Sequence, residues 1–135
     1  MIQQRTNMDW MLTELVDGVP QVRHVIVLSA DGLRMAQHGT DLDTADRLAA
    51  ACAGLQSLAA AVGHEFPGGD GRMRLVVIEV SGGFFYLMAA GSRAYLAVLA
   101  DEGVDAGLVG QRMRDLVARI GDHLTTPART DGPTA

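Results

Sequence analysis

Apolar residues recur along the chain at two spacings, one typical of helices and the other typical of strands. Near the N-terminus, apolar positions three and four residues apart predict a helix over residues 8–18, capped by Asn7. The same spacing predicts a last helix over residues 105–124. The core-facing positions are Met8, Met11, Leu12, Leu15, Val16 and Val19 in the first helix, and Val109, Met113, Leu116, Val117, Ile120 and Leu124 in the last. Trp10 falls on the opposite face of the first helix, where we expect it to be half exposed or packed by the tail, or else to anchor a partner.

Strands are predicted in two groups, a hairpin and a three-stranded meander. Residues 25–28 are continuously apolar, as in a central strand covered on both faces, and the turn Ala30-Asp31-Gly32 leads into an edge strand over residues 33–38. The meander comprises residues 72–80, 84–90 and 93–100. Strands that are apolar on both sides need a helix layer on each face. The predicted fold is therefore α/β in the α+β sense: a three-layer α-β-α sandwich around one five-stranded antiparallel sheet, with the element order α-β-β-α-β-β-β-α.

A middle helix, preceded by capping residues between Asp41 and Thr44, contains the segment LAAACAGLQSLAAAVGHEF over residues 48–66. One face, predicted to lie on the sheet, carries Leu48, Cys52, Leu55, Ala59, Val62 and Phe66. A second face carries Asp46, Ala50, Ala53, Ser57, Ala60 and His64, spaced 4, 3, 4, 3 and 4 residues apart. We call this second set the small-residue seam. One interpretation is a surface helix rich in alanine for helix propensity alone. The favoured interpretation is a dimer interface, because surface helices normally carry Glu and Lys and because small residues allow helices to approach closely. In an antiparallel pair, Asp46 of each copy would lie beside His64 of the other.

Composition and charge narrow the class of protein. The chain has 135 residues and a net charge of -5, from 11 basic and 16 acidic residues, with no basic cluster for binding nucleic acid. A single cysteine fits a reducing compartment and excludes an internal disulfide. Charged residues interrupt the N-terminus where a signal peptide would be apolar, and the Ala-rich helix is too polar to span a membrane. We therefore expect a cytoplasmic protein with no direct membrane insertion.

A search for chemistry finds no active site. The four histidines are scattered, and the glycine-rich stretches indicate turns rather than phosphate-binding loops. Neither Ser29 nor Ser57 has a base at a suggestive spacing, and Cys52 is expected to be a buried, inert thiol. The sequence predicts no enzyme, no metal and no cofactor.

The stretch LVDGVPQVRHVIVLSADGLRMA, residues 15–36, resembles the Roadblock family, the dynein light chain Roadblock-type domain and its bacterial relatives. The element order agrees, so the resemblance covers about residues 8–124. DRLAAACAGLQSLAAAVG is similar to actinobacterial members encoded beside a sensor kinase and a small Ras-like GTPase. The resemblance implies a domain over residues 1–125 of Roadblock/profilin-like architecture. It also implies a homodimer through the second helix and third strand, and a role as a non-enzymatic regulator or scaffold of such a GTPase. Residues 126–135 have nothing to bury and are expected to form a disordered tail.

Two alternatives stay open at this stage. Arg34, Arg72, Arg74 and Arg93 are candidates for an arginine finger reaching a GTPase, although the ordinary interpretation is solvated arginines at strand ends. A small-ligand-sensing domain of profilin/PAS-like architecture is the other functional class, and it would need a cavity lined by polar groups.

Overall fold

The computed structural model describes residues 2–125, with side chains described from residue 8 to residue 122. Three helices and five strands follow one another in the predicted order. The helices are α1 (Ile2–Gly18), α2 (Leu42–Gly63) and α3 (Ala106–Thr125). The strands are β1 (Val22–Ser29), β2 (Arg34–His38), β3 (Leu75–Val80), β4 (Gly83–Ala90) and β5 (Ala94–Asp101).

All five strands form one antiparallel sheet in the spatial order β2-β1-β5-β4-β3. The interior strand β1 lies between β2 and β5, and its residues 25–28 are all buried. Val25 and Val27 point to one face of the sheet, and Ile26 and Leu28 point to the other. The continuous apolar run thus reflects burial on both faces, as predicted.

Two hydrophobic cores, one on each side of the sheet, make the three layers. On one side α1 and α3 pack side by side, burying among others Leu12, Leu15, Met113 and Ile120. On the other side α2 packs alone, burying Ala45, Ala49 and Cys52 against Phe85 and Leu87. The three-layer sandwich, the five-stranded sheet and the element order are confirmed.

Local signals in the sequence set the turn and the cap that position α2. In the β1–β2 turn, the Ser29 hydroxyl donates to Asp31, and Gly32 takes a φ of +88°, which favours glycine. The N-cap of α2 is Asp41, whose carboxylate accepts a hydrogen bond from the Thr44 N–H at 2.7 Å. This bond holds the pKa of Asp41 below its ordinary value.

Three predicted boundaries are wrong. Helix α1 begins at Ile2, so Asn7 lies inside it and is not its cap. The apolar spacing predicts the helix only from residue 8, whereas Gln3, Gln4 and Arg5 before it favour a helix by propensity alone. Helix α2 ends at Gly63, so the last three residues of the predicted segment, 64–66, lie outside it. Strand β3 begins at Leu75 rather than at residue 72. The predicted tail, residues 126–135, lies outside the described residues. None of the described helices is long and apolar enough to cross a membrane.

Candidate functional site

Helix α2 covers the sheet with its first half and leaves apolar side chains uncovered in its second half. Its buried residues, Ala45, Ala49 and Cys52, all lie in the first half of the helix. Beyond them, Leu58 is 66% exposed, Val62 is 61% exposed and Phe66, just past the helix, is 64% exposed. A helix of 22 residues is about 33 Å long, whereas the longest strands, of eight residues, span about 26 Å, so α2 is longer than any strand of the sheet.

The prediction that Val62 and Phe66 face the sheet is therefore wrong. Val62 lies one turn beyond Leu58 on the same side of the helix, and Phe66 follows three residues after the helix ends. We call Leu58, Val62 and Phe66 the apolar stripe. In the sequence these are large apolar residues four apart. The sequence alone places Val62 and Phe66 on the sheet because an alanine-rich helix gives few polar residues by which to orient it.

The small-residue seam is accessible but lies on a different side of α2. Asp46, Ala50, Ala53, Ser57 and His64 are exposed, and Ala60 is half-buried. The Asp46 carboxylate accepts a hydrogen bond from Nε of Arg34 on β2 at 3.4 Å, and the two side chains form an ion pair. A Cβ on Gly32 would stand 3.6 Å from Cβ of Ala53. The seam thus borders the β1–β2 hairpin of its own chain, with Ala50 and Ser57 exposed beside it.

A second uncovered apolar surface lies on β3, at the edge of the sheet. Leu75, Val77 and Val80 are exposed. Val77 pairs with Tyr86 in the α1/α3 core, so its side chain points to the face that α1 and α3 cover further along the sheet. An edge strand also presents unpaired backbone N–H and C=O groups. The strand therefore offers apolar side chains and hydrogen-bonding groups together.

Trp10 lies on the surface of α1, with its ring beside α3. It is 61% exposed, and the Arg119 guanidinium lies 5.6 Å from the ring centroid. Nη1 of Arg119 also contacts Oε1 of Glu14 at 2.5 Å. The Trp10 side chain is therefore more than half exposed, and its packing by the tail or its use as a partner anchor stays a prediction.

The candidate chemical groups are placed apart from one another. Cys52 is buried in the second core, and burial raises the pKa of its thiol to about 11, so it is protonated and unreactive at neutral pH. Within the described part of the chain, no cluster of His, Cys, Asp or Glu could hold a metal ion. Among the arginines considered as fingers, Arg34 pairs with Asp46, and Nη2 of Arg72 donates to the Gly91 carbonyl at 3.4 Å. What the structure brings together is a set of contact surfaces.

Comparison with known proteins places this fold in a family. The Roadblock/LC7 domain model matches residues 8–100. The Roadblock/LC7 domain from Streptomyces avermitilis is 40% identical, with a TM-score of 0.81 over 87% of this chain and 98% of that one. The gliding protein MglB from Thermus thermophilus is 18% identical, with a TM-score of 0.79 over 89% of this chain and 90% of that one. MglB from Myxococcus xanthus is 19% identical, with a TM-score of 0.78 over 88% and 95%. Curated proteins include no match to this chain. The chain belongs to the Roadblock/LC7 domain family.

Proposed function

We propose that this protein is a non-enzymatic, homodimeric regulator or scaffold of a small Ras-like GTPase in bacterial signalling. The observation that carries the proposal is the pair of uncovered apolar surfaces, on α2 and on β3, in a chain of the Roadblock/LC7 family. Clustered apolar side chains at the surface mark interaction sites, whereas scattered ones need no explanation. The protein acts by binding.

Self-association is proposed through α2 and β3. In a two-fold dimer the same patch of each copy meets itself, so α2 would pack antiparallel to its counterpart and β3 would extend the sheet. The apolar stripe would lose its water in such a contact, and Ala50 and Ser57 of the seam would allow the helices to approach. Asp46 has an intrachain partner in Arg34, which competes with the predicted pairing to His64 of the second copy. MglB in a tetrameric arrangement, 18% identical with a TM-score of 0.80, associates with its own copies on this fold.

The GTPase partner is proposed from family membership together with the contact surfaces. A binding protein changes a nucleotide cycle only if it binds one nucleotide state more tightly than the other. The cytoplasm is the proposed compartment, because that is where a Ras-like GTPase would be met, and a sensor kinase is a further expected partner.

Light scattering of charge variants tests the dimer. Ala50→Glu and Ser57→Glu place like charges near the two-fold axis and should convert dimer to monomer without unfolding the chain, because both positions are exposed. Ala53→Glu is less clean, since Ala53 lies close to Gly32. Ala118→Glu on α3, an exposed alanine on the other side of the sheet, is the matched control. Wild-type mass for all the variants would remove the seam from the interface.

Calorimetry tests the GTPase. A Ras-like GTPase from the same organism, loaded with GDP or with a non-hydrolysable GTP analogue, is titrated with the protein. We expect binding that favours one state. Equal affinity for both states with unchanged hydrolysis would reduce the role to a passive scaffold, and absence of binding to either would refute the GTPase partnership.

A further inference from the structure

A groove that is open to solvent and lined by both polar and apolar groups lies beside the second half of α2, separate from the apolar stripe. Its volume is about 460 Å³, within the range of small-ligand sites. Three segments form its walls, namely α2, the β1–β2 turn and the residues that lead into β3, and Tyr95 of β5 also lines it. The ligand-sensing alternative requires a cavity lined by polar groups, and this groove has them. The groups used below are Asp31, Gln56, Arg72, Met73 and Tyr95.

Hydrogen-bond donors lie on two of the walls. The single bond of Arg72 to the Gly91 carbonyl, at 3.4 Å, occupies one of the five N–H donors of its guanidinium. Nε2 of Gln56 is buried and has no hydrogen-bond partner among the described residues. A buried donor is normally paired, so this nitrogen lacks an acceptor. Rotation about its soft terminal torsion would turn the amide toward the groove.

A negatively charged side chain, Asp31, lies on the third wall, which is the β1–β2 turn. Asp31 accepts a hydrogen bond from the Ser29 hydroxyl, which fixes its position in the turn and leaves lone pairs for another donor. Met73 and the Tyr95 ring are half-buried and supply apolar surface between the polar walls. A groove that offers one carboxylate, one guanidinium and neutral donors is matched to a ligand that carries both charges.

We propose that this groove binds a small zwitterion of the free amino-acid type. Arg72 and Gln56 hold the ligand carboxylate by charge-assisted hydrogen bonds, and Asp31 holds its ammonium group. The ligand side chain lies against Met73 and Tyr95. The proposal does not depend on the GTPase, and the protein alone is enough to test it.

Titration calorimetry with the twenty free L-amino acids, each to about 10 mM, is the experiment, because a Kd near 1 mM is then measurable. We expect at least one to bind. Its methyl ester and its N-acetyl derivative, which each lack one charge, should bind at least about tenfold more weakly, as should Arg72→Gln and Asp31→Asn variants of the protein. Arg74→Gln and Asp43→Asn are matched controls outside the groove and should bind like wild type. Circular dichroism checks that each variant is folded.

Several outcomes would overturn the proposal. If no amino acid binds, the groove is not such a site. Equal affinity for the ester or the N-acetyl derivative would show that the site does not recognise the carboxylate or the ammonium group of the ligand. If Arg72→Gln binds like wild type, the site lies elsewhere. Dissociation of the dimer by Arg72→Gln, with no amino acid bound to wild type, would assign the groove to contact between copies.

Discussion

Leu58 is the first residue of the apolar stripe, and its substitution measures what the stripe contributes to self-association. In the isolated chain its side chain is 66% exposed, so little of it is used to hold the fold. Leu58→Ala should therefore leave the unfolding free energy of the monomer nearly unchanged. In the proposed dimer the same side chain is covered by the second copy, so the substitution should weaken self-association.

The expected size of the effect follows from the exposed fraction. Burying a whole leucine side chain contributes about 1.5–3 kcal/mol. Covering the exposed 66% of Leu58 would then contribute about 1–2 kcal/mol in each copy, and about 2–4 kcal/mol in a two-fold dimer. A change of about 1.4 kcal/mol alters Kd tenfold, so the dimer Kd should rise about 30- to 700-fold.

Analytical ultracentrifugation over a dilution series measures the Kd, and urea denaturation of the monomer measures the fold. Trp10→Ala is the control, because Trp10 is similarly exposed but lies on the other side of the sheet. A dimer Kd that Leu58→Ala leaves within about threefold of wild type, a difference below 1 kcal/mol, would refute the placement of the stripe in the interface. If Leu58→Ala and Trp10→Ala weaken the dimer equally, the change in Kd reflects loss of any exposed apolar side chain and is not specific to the stripe.

Three further predictions concern stability. Gly54→Ala should raise the unfolding free energy by about 0.5–1 kcal/mol, because a Cβ there meets nothing within 4 Å. Gly63→Ala should lower it by about 1–3 kcal/mol in urea denaturation, because the added Cβ would stand 2.7 Å from a carbonyl oxygen of the following loop. The Cys52 thiol ionises near pH 9.0 when unfolded and near pH 11 when folded, so its contribution to stability is present below pH 9.0 and is lost as the pH rises through 11. Cys52→Ala should show a flatter dependence of the urea midpoint between those values, and an unchanged slope would contradict this. Arg119→Ala should cost about 1 kcal/mol or less, in a salt-dependent way, and should change the fluorescence of Trp10, the only tryptophan; unchanged emission would mean that the ring contact is not populated.

The fold was predictable because the residue pattern within most helices, strands and turns is enough to identify them. The buried positions of α3, from Val109 to Ile120, follow a helical spacing. The Asp41 cap and the Ala30-Asp31-Gly32 turn form as their residue types require. The apolar run at residues 25–28 fixed the need for helices on both sides of the sheet.

The candidate site was only partly predictable, because its features depend on contacts between distant segments. The heptad-like spacing of the seam gave no sign that Asp46 would pair with Arg34, or that Ala53 would lie against Gly32. In a helix dominated by alanine, periodicity alone does not decide which side faces the sheet, although the seam and the stripe lie more than a third of a turn apart. The groove brings together Asp31, Gln56 and Arg72, which no local pattern connects.

The two edges of the sheet differ in a way that limits how far assembly can proceed. An open strand edge is a template on which further chains can add, as in fibrils. Two copies paired through β3 would use both of these edges and leave only β2 at each end. Strand β2 has five residues, and its register shifts opposite Val27 and Leu28. A short, irregular strand is a poor template for another one. Pairing through β3 would therefore stop at two copies and would not continue into a filament. The molecule could thus keep one sheet edge that pairs with a second copy without becoming prone to polymerise.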